Sequence, residues 1–394
     1  MKSAPKHPRV LQVITHLALG GAEAIAASLQ RSLKGECEFA LFAVQGQSGD
    51  NIGRALEEEM RQLAIPWFSG THLPLKLGGA APAAFALARA VRTFHPDIIH
   101  LHAEHAELTA ALWRRFLAPQ NTPAVLVRTV HNSIFWRSWP RIGHWCERQL
   151  HTATVACVSN AAAQEFVRHR TTSGAPPLTS APLVIPNAVT LPMQPPHGTP
   201  REPHKLRVLA AGRFEPQKGL DILLRALPHT PLPENTRGEL VVHGHGSQEQ
   251  ELRTLAALVP ATWQVKIEPP IANLGKRLRD FDVVVIPSRF EGLALLSLEA
   301  THAGLPVVAT RAPGLNETLP SEHPWIAAPD DPRALAASLA DALRCTEKWT
   351  PAVQAAQAWT TERFSLQAMT RGYRQLYSNA LSAADAARAP ATDR

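Results

Sequence analysis

The chain has 394 residues, 45% of them hydrophobic and 19% charged, which predicts an ordinary globular protein of two or three domains. Its four cysteines are scattered and form no C-x-x-C pair, which argues against a disulfide framework or a zinc site and favours a reducing compartment. No apolar run reaches the roughly 18 residues that a membrane span needs, and no signal peptide is evident, so we expect a cytoplasmic protein.

The formal net charge of +7 is concentrated in the first half of the chain. Residues 1–200 contain 18 Lys and Arg against 12 Asp and Glu, an excess of +6, whereas residues 201–394 have an excess of only +1. A basic first half predicts an anionic partner there, either a phospholipid surface or an acceptor that carries phosphate. No recognition motif supports nucleic acid as that partner.

Strand and helix patterns alternate through the first 170 residues. The first strand leads to G-G-A-E, where Gly20 and Gly21 open a helix as in a phosphate-facing loop, although a plain turn would have the same pattern. Strands are predicted at residues 9–15, 38–44, 65–69, 97–102, 124–130 and 154–158, and helices near residues 22–33, 51–63, 81–94, 105–117, 139–151 and 160–169. This alternation is typical of a parallel sheet covered on both faces, whose ligands gather beyond the carboxyl ends of the strands.

Histidines lie at two of those strand ends. His100 and His102 project to the same side of a strand, with Glu104 and His105 close behind, so a zinc site is one interpretation. His131 ends the next strand in the sequence T-V-H-N, where it could serve a ligand or be a satisfied structural histidine.

A stretch rich in tryptophan and arginine covers residues 135–148. Its interleaved members are Trp136, Arg137, Trp139, Arg141, Trp145 and Arg148. Aromatic rings beside cations suit the headgroup layer of a bilayer, and they also suit stacking on a sugar. A helix whose Trp residues pack inward while its Arg residues face water would give the same pattern. The first domain then closes with V-I-P-N-A-V around Asn187, and the Pro-rich residues 190–204 are predicted as a linker.

The second half of the chain begins with a strand at residues 205–210 and the loop G-R-F-E-P-Q-K-G. Gly212 opens the loop, and its cations Arg213 and Lys218 can neutralise a diphosphate, although both could be merely solvated. A later strand, residues 239–243, feeds a glycine turn at Gly244. The sequence Asp280-Phe281-Asp282 imitates a D-x-D metal motif, but it stands immediately before a buried strand, so we expect no metal requirement from it.

The most informative stretch is V-V-V-I-P-S-R-F-E-G-L-A-L-L-S-L-E-A, residues 283–300. A β-branched strand is followed by a tight loop, and an apolar helix is predicted to begin near Leu293. Gly292 lets a ligand approach the backbone, and the free amides of residues 293–295 suit phosphate. Eight helical positions would separate Glu291 and Glu299 by about 10–12 Å, which suits one long ligand held at both ends. Two carboxylates that flank a single bond lie closer, at roughly 5–9.5 Å.

The last hundred residues are predicted to be a strand and three helices. The strand covers residues 306–310, and the helices cover residues 332–343, 351–364 and 365–377. Between them, residues 313–318 read P-G-L-N-E-T. Residues 379–394 are Ala-rich and are expected to be frayed and partly disordered.

The two glutamates form an E-x7-E motif, and P-S-x-x-E-G-x-x-x-x-x-x-E-A resembles family 4 of the retaining GT-B glycosyltransferases, the group 1 family. G-R-x-x-x-x-K-G, T-x-H-N, G-G-A-E and V-I-P-N-A-V resemble further segments of that family, with Ala188 in place of its usual Gly and Pro313 in place of the first Gly of G-G-x-x-E. The resemblance implies an α/β fold of two Rossmann-like domains facing across a cleft. The expected parts are an acceptor domain at residues 1–189, the linker at 190–204, a donor domain at 205–364, a C-terminal helix at 365–378 and the tail at 379–394.

The resemblance also implies a role for each motif residue. The expected catalytic residues are His131, Arg213, Lys218 and Glu291, and the expected donor-binding residues are Gly20, Gly21, Asn187, Gly212, Gly244, Gly292, Leu293 and Glu299. Glu291 would contact the donor sugar, Glu299 the nucleotide ribose, and the two cations the diphosphate. No metal and no cofactor is expected beyond a UDP- or GDP-linked sugar as co-substrate.

The resemblance predicts retaining transfer of a sugar from this donor to a saccharide or lipid-linked hydroxyl acceptor, in polysaccharide or glycolipid synthesis. Location in the cytoplasm, with peripheral contact at the inner face of an anionic membrane, would fit the basic first half. Two alternatives stay open from the sequence. One is a nucleotide-sugar epimerase of the same architecture, and the other is a non-catalytic protein that binds nucleotides or polyanions.

Overall fold

The computed structural model describes residues 7–16, 21–46, 57–58, 60–62, 64–119, 122, 124–178, 180–271 and 273–388. The chain divides into two compact units. The first is formed by Met1–Pro186 together with Met369–Arg394, and the second by Asn187–Ala368. Each unit is built on one parallel sheet with alternating helices, so the predicted α/β class with two Rossmann-like domains is confirmed.

The first unit contains a seven-stranded sheet. Its strands are β1 (Arg9–Ile14), β2 (Glu38–Ala43), β3 (Trp67–Ser69), β4 (Ile98–His102), β5 (Val125–Val130), β6 (Thr154–Cys157) and β7 (Leu183–Val184). In the described residues up to position 186, the helices beside this sheet are α1 (Gly21–Ser32), α2 (Ala80–Phe94), α3 (Glu104–Phe116), α4 (Pro140–Gln149) and α5 (Asn160–Thr172). The strand order is β3-β2-β1-β4-β5-β6-β7. The helix predicted at residues 51–63 lies largely outside the described residues.

The second unit contains a six-stranded sheet. Its strands are β8 (Lys205–Ala211), β9 (Arg237–His243), β10 (Trp263–Glu268), β11 (Val283–Ile286), β12 (Val307–Thr310) and β13 (Ile326–Ala327). The helices are α6 (Leu220–Ala226), α7 (Glu249–Ala256), α8 (Leu295–His302), α9 (Pro332–Arg344) and α10 (Trp349–Arg363). The strand order is β10-β9-β8-β11-β12-β13.

Strands β11 and β12 of the second sheet are buried along their whole length because their residues are almost all apolar. All four residues of β11 and of β12 are buried, and one apolar cluster packs on each face of this sheet. Short polar side chains start two of the surrounding helices. Ser159 Oγ accepts the amide of Ala162 at α5, and Asp331 accepts two amides at α9. The binary pattern and the caps thus explain where these elements begin.

Each sheet has a point at which the strand order reverses direction. In the first unit it lies between β1 and β4, and in the second between β8 and β11. The loops that leave neighbouring strands at such a point go to opposite faces of the sheet and leave a crevice beyond the carboxyl ends. The loop that holds Arg213 and Lys218 follows β8, and the loop that holds Glu291 follows β11. Topology therefore brings these two sequence motifs together.

Several boundaries differ from those predicted, and three of these differences affect how the chain is organised. Residues 190–204, predicted as a linker, belong to the second unit, where the amides of Gln194 and His197 donate to the carbonyls of His302 and Gly304 at 2.7 Å. Helix α8 begins at Leu295, two residues later than predicted, because the backbone of Ala294 (φ −79°, ψ 86°) is not helical.

The third difference concerns the C-terminus. Helix α11 (Leu366–Arg388) continues ten residues beyond position 378, so residues 379–388 are helical rather than frayed. Most of α11 belongs to the first unit, where Tyr373 and Tyr377 are buried and Arg374 pairs with Glu36. An apolar stripe on α11 that covers the first sheet is what holds this segment in place. None of the described helices combines the length and the apolar character that a membrane-spanning segment needs.

Candidate active site

Hydrogen bonds join the loop after β8 to the loop after β11 in the second unit. The amide of Arg289 donates to the carbonyl of Gln217 at 2.8 Å, and Gln217 Nε2 donates to the carbonyl of Phe290 at 3.1 Å. Gly219 has φ +60°, and a Cβ there would lie 2.0 Å from the carbonyl oxygen of Pro287. Only glycine allows this approach, which fixes the loop after β8 against the loop after β11.

An ion pair that the sequence analysis missed strengthens this junction. Arg289 binds Asp221 with two parallel hydrogen bonds of 2.9 Å, and it also donates to the carbonyl of Pro216 and to Asp330 at 2.5 Å. Burial alone would raise the pKa of Asp221, but the hydrogen bonds from Arg289 outweigh it and hold that pKa below the ordinary value. The carboxylate of Asp221 therefore stays charged. A planar guanidinium can bridge three segments in this way. The only sequence signal was an Arg two positions before Glu291.

Glu291 lies at the centre of the junction and is only 6% exposed. Lys218 Nζ and Ser288 Oγ both donate to its Oε1 at 2.7 Å, while Oε2 takes part in neither bond. Its amide donates to the carbonyl of Pro313 at 2.8 Å. Proline supplies this carbonyl as well as glycine would, so the departure at position 313 is compatible with the support of Glu291.

Arg213, the other predicted cation, is exposed and donates to Gln217 Oε1 at 3.3 Å. The backbone beside it is crowded: a Cβ on Gly244 would lie 1.9 Å from the carbonyl oxygen of Gly212. The loops after β8 and β9 therefore need glycine at position 244. The same end of the second sheet holds four predicted site residues, Gly212, Arg213, Lys218 and Gly244. This placement is the one expected if they bind one ligand.

Glu299 lies inside α8, half-buried, and none of the described residues forms a hydrogen bond with its carboxylate. Burial raises its pKa to about 7. A carboxyl group held in a poorly solvated place without a partner is typical of a functional site. Gly292 and Leu293 are buried in the loop between Glu291 and α8. Because α8 starts at Leu295, the amides of 293 and 294 precede the helix and are not part of its first turn.

The segment Asp280-Phe281-Asp282, which matches a D-x-D pattern, has a structural role. Asp282 is completely buried at the amino end of β11, where it accepts the amides of Arg201 at 2.9 Å and Arg207 at 2.7 Å. Asp280 pairs with Arg277. These carboxylates thus lie at the opposite end of β11 from Glu291. No group of three or more potential metal ligands occurs among the described residues.

In the first unit, His131 lies just after β5 and is half-buried. Its Nε2 is 2.9 Å from Nδ1 of His102, which is completely buried at the end of β4. His100 is bound separately, to Tyr377 and Thr129. The zinc interpretation of His100 and His102 has no geometric support, because these rings are engaged with other side chains. Burial lowers the pKa of His131 to about 4.

The other predicted residues of the first half are placed as follows. Gly20 lies outside the described residues, and Gly21 is the first residue of α1. Asn187 begins the second unit, is 4% exposed, and its Oδ1 is a buried acceptor without a partner in the described part of the chain.

The stretch rich in tryptophan and arginine, residues 135–148, is only partly exposed on the surface. Trp136 is buried and donates to Glu107, and Arg148 donates to the carbonyl of Ser173. Trp139 and Trp145 are half-buried and pack against the core. Inward packing of Trp with outward Arg, one of the three interpretations, therefore describes most of this stretch.

The fold of the chain is similar to that of several solved structures. A solved structure of Anabaena HepE in complex with UDP-glucose superposes with a TM-score of 0.75 over 95% of this chain and 100% of that one, at 20% identity. Sucrose-phosphate synthase from Thermosynechococcus elongatus gives 0.74 over 96% and 100%, at 18% identity. The fold is therefore that of the GT-B glycosyltransferases.

Two family models place the chain more narrowly. Residues 205–345 match the family described as glycosyl transferases group 1, and residues 19–191 match glycosyltransferase family 4. Together these matches span most of the chain, and the chain belongs to the family 4, group 1 glycosyltransferases, as the motifs predicted.

Curated relatives match over shorter segments. A D-inositol 3-phosphate glycosyltransferase of Xylanimonas cellulosilytica is 40% identical over 116 residues, 27% of this chain and 26% of the relative. The sulfoquinovosyl transferase SQD2 of Arabidopsis thaliana is 31% identical over 122 residues, 31% of this chain and 22% of the relative. The chain thus spans about a quarter of the length of these relatives.

Proposed function

We propose that this protein is a retaining glycosyltransferase that moves a sugar from a nucleotide sugar to a hydroxyl group of an acceptor. The observation that carries the proposal is the junction at the switch point of the second sheet. There a buried carboxylate, Glu291, is held by Lys218 and Ser288 with one oxygen outside these bonds. Glu299, a second carboxylate without a partner among the described residues, lies eight positions further on.

Each of these groups suits one part of a nucleotide sugar. Oε2 of Glu291 can accept a hydrogen bond from a sugar hydroxyl, and Glu299 can accept hydrogen bonds from the hydroxyls of a ribose. Lys218 and Arg213 supply positive charge for a diphosphate between them. A UDP-linked hexose is the donor we favour, since HepE, a protein of this fold, is described in complex with UDP-glucose.

The reaction breaks the bond between the anomeric carbon and the diphosphate oxygen and forms one from that carbon to the acceptor oxygen. The electron pair of the broken bond stays on the diphosphate, whose new charge Arg213 and Lys218 stabilise. The acceptor hydroxyl gives its proton to the leaving phosphate oxygen on the same face of the sugar, so the anomeric configuration is retained. Glu291 orients sugar hydroxyls, and His131 donates a hydrogen bond near the reacting carbon. No metal takes part in this scheme.

The decisive experiment screens UDP- and GDP-linked sugars for thermal stabilisation of the protein, for slow hydrolysis, and for transfer to saccharide and lipid-linked acceptors. We expect one donor to stabilise the wild type and to be hydrolysed, with the released sugar first appearing in the anomeric configuration of the donor by NMR. Glu291→Gln should keep the stabilisation and lose the hydrolysis. Conversion of the donor to an epimer without any acceptor would support the epimerase instead. Stabilisation without hydrolysis or transfer would support a binding protein.

We further propose that the acceptor is lipid-linked and that the first unit reaches it at an anionic membrane. On the first unit, exposed apolar residues lie beside exposed cations. Leu73 is 55% exposed and Leu77 is 76% exposed. The cation Lys76 precedes Leu77, and its Nζ lies 5.9 Å from the ring of Trp139. Arg141, also exposed, follows Trp139 at the start of α4. Apolar groups that insert and cations that attract anionic lipid are the usual parts of such a surface.

Sedimentation with vesicles tests this second proposal. Binding should occur with anionic lipid, fade as the Debye length falls from about 10 Å at 0.1 M salt to about 3 Å at 1 M, and weaken in Leu77→Ser and Arg141→Ser. Leu258→Ser is the matched control, because Leu258 is 73% exposed in the second unit and should leave binding unchanged. Equal recovery with neutral and anionic vesicles, or none with either, would argue for an acceptor free in solution.

A further inference from the structure

Three neighbouring histidines of the first unit form two separate hydrogen-bonded groups. His100 Nδ1 lies 2.9 Å from the hydroxyl of Tyr377, and its Nε2 lies 2.7 Å from Thr129 Oγ1, so both of its ring nitrogens are engaged. The ring of His102 is 4.0 Å from that of His100 between centroids, yet His102 bonds to His131 instead. The ring of His131, which the proposed reaction uses, is thus hydrogen-bonded to the ring of His102, which is completely buried.

The hydrogen bond between His102 and His131 joins two neutral rings. Burial, followed by the neighbouring histidines, holds the pKa of His102 well below its ordinary value, and burial lowers the pKa of His131 to about 4. A neutral imidazole carries a single N–H, so only one ring can donate. The direction of this one bond therefore decides which nitrogen of His131 holds its proton.

The unpartnered nitrogens of the pair distinguish the two directions. Within the described part of the chain, His102 Nε2 and His131 Nδ1 are buried without a hydrogen-bond partner. If His131 donates, the remaining N–H lies on His102, which is 0% exposed. If His102 donates, the remaining N–H lies on Nδ1 of His131. That nitrogen is buried as well, but its residue is only half-buried and lies at the carboxyl end of β5, the end at which ligands of parallel sheets bind. A buried N–H without an acceptor is unfavourable, as the N–H on Nε2 of His102 would be. The N–H on Nδ1 of His131 can instead donate to a ligand oxygen.

We propose that His102 is a positioning residue that donates its Nδ1–H to Nε2 of His131 and so keeps the proton of His131 on Nδ1, ready to be donated to a ligand oxygen. This inference rests on the proposed glycosyl transfer, in which that oxygen belongs to the donor sugar near its reacting carbon. His102 thereby prepares the hydrogen bond without contacting the sugar.

The tautomer can be read directly in the full chain with ¹⁵N-labelled histidine, from correlations between ring nitrogens and carbon-bound ring protons at pH 7. We expect Nδ1 of His131 to be protonated in the wild type. His102→Leu should let the proton move to Nε2, whereas His102→Asn should preserve the wild-type tautomer, because its side-chain amide can donate from nearly the place of Nδ1. His100→Leu is the matched control: it removes a buried histidine two positions away on the same strand and should leave Nδ1 of His131 protonated.

Kinetics provide the second readout. His102→Leu should lower kcat at least about 10-fold, since one well-placed donor is worth 10²–10³-fold in related situations, and His102→Asn should restore most of the loss. The affinity for free nucleoside diphosphate should not change, because Arg213, Lys218 and Glu299, whose side chains are proposed to bind it, belong to the second unit. A merely structural role of His102 would instead lower thermal stability in both His102 variants and in His100→Leu alike, without a kcat loss specific to His102→Leu.

The outcomes separate this inference from the proposed function. An unprotonated Nδ1 of His131 in the wild type, or an unchanged tautomer and kcat in His102→Leu, would overturn the positioning role. If His102→Leu fails to fold, the wild-type tautomer together with His102→Asn decides the question. Absence of any glycosyl transfer by the wild type would overturn the proposed function, and the NMR result on the pair would stand apart from it.

Discussion

Lys218 Nζ donates to Glu291 Oε1 over 2.7 Å, although the two residues are 73 positions apart and lie in different loops. The pair neutralises a carboxylate that is almost completely buried, and Ser288 shares the same oxygen. In the proposed complex the diphosphate would compete with Glu291 for the ammonium group. The position of Lys218 would then depend on whether a donor is bound, and Glu291 would be freed to bind the sugar as the phosphates bind.

Glu291→Gln should lower kcat by orders of magnitude while nucleoside diphosphate binding survives, because the proposed partner of Glu291 is the sugar. Glutamine keeps the shape of the side chain but accepts weaker hydrogen bonds and cannot form the ion pair with Lys218. Glu299→Ala should behave in the opposite way and weaken nucleoside diphosphate binding by roughly 1–3 kcal/mol. Calorimetry with the free nucleotide measures both, and equal losses in the two variants would contradict the division of roles.

Lys218→Ala and Arg213→Ala should each depress kcat/KM steeply, because the charge on the leaving diphosphate is greatest in the transition state. Lys218→Ala should also cost stability, since it leaves Glu291 without its cation. Arg213 is exposed, so Arg213→Ala should lose activity without that loss of stability.

Activity of the wild type should persist in EDTA. Abolition by EDTA and rescue by Mn²⁺ would contradict the metal-independent scheme.

The strands that the motif residues follow could be predicted, because the signal for these strands is local. Arg213, Lys218, Glu291 and Gly244 follow strands that could be recognised from their β-branched runs, and parallel topology brings such strand ends together. The partners of these residues could not be predicted in the same way. The Arg289–Asp221 pair and the bond from Ser288 to Glu291 depend on how two loops approach each other, which is decided by tertiary packing.

The first unit shows the same limit. The histidines at the ends of β4 and β5 were evident in the sequence, but a zinc site and a hydrogen-bonded pair require the same residue types at the same spacing. The bond between His102 and His131 depends on the register of β4 against β5. The extent of α11 was underestimated because its Ala-rich end has little local signal, whereas Tyr373 and Tyr377 are fixed by burial against the sheet.

A buried ionic cluster in the first unit should be critical for stability. Arg128 is completely buried and pairs with Glu107 at 2.9 Å and with Glu147 at 2.7 Å, and Arg170 also binds Glu147. Arg128→Met should cost about 3–5 kcal/mol in unfolding free energy, because it leaves carboxylates buried without compensation. Arg168→Met, which removes the exposed member of the Arg168–Glu165 pair, should change the unfolding free energy by less than about 1 kcal/mol. Urea denaturation measures both, and similar losses would contradict the role given to burial.

Glu299 should make the stability of the free protein depend on pH. Its pKa is raised from 4.5 to about 7 by burial, so the folded protein holds a proton there that the unfolded chain has released between these values. The stabilisation from this proton is fully present below pH 4.5 and is lost as pH rises through 7. Glu299→Gln mimics the protonated group and should therefore be more stable than the wild type at pH 8, by on the order of 2 kcal/mol, but not at pH 4.5. Glu234→Gln, an exposed control, should show no such difference between the two pH values.

The same carboxyl group should release a proton when nucleotide binds. Ribose hydroxyls can donate hydrogen bonds to Glu299, and a carboxylate accepts them better than a carboxylic acid, so binding favours the charged form and lowers the pKa. At pH 7, where Glu299 is about half protonated in the free protein, part of a proton must then leave on binding of a nucleoside diphosphate. Titration calorimetry in two buffers of different ionisation enthalpy counts these protons. Release should be present in the wild type and in Glu234→Gln and much reduced in Glu299→Gln. Equal release in all three proteins would show that the ribose does not meet Glu299.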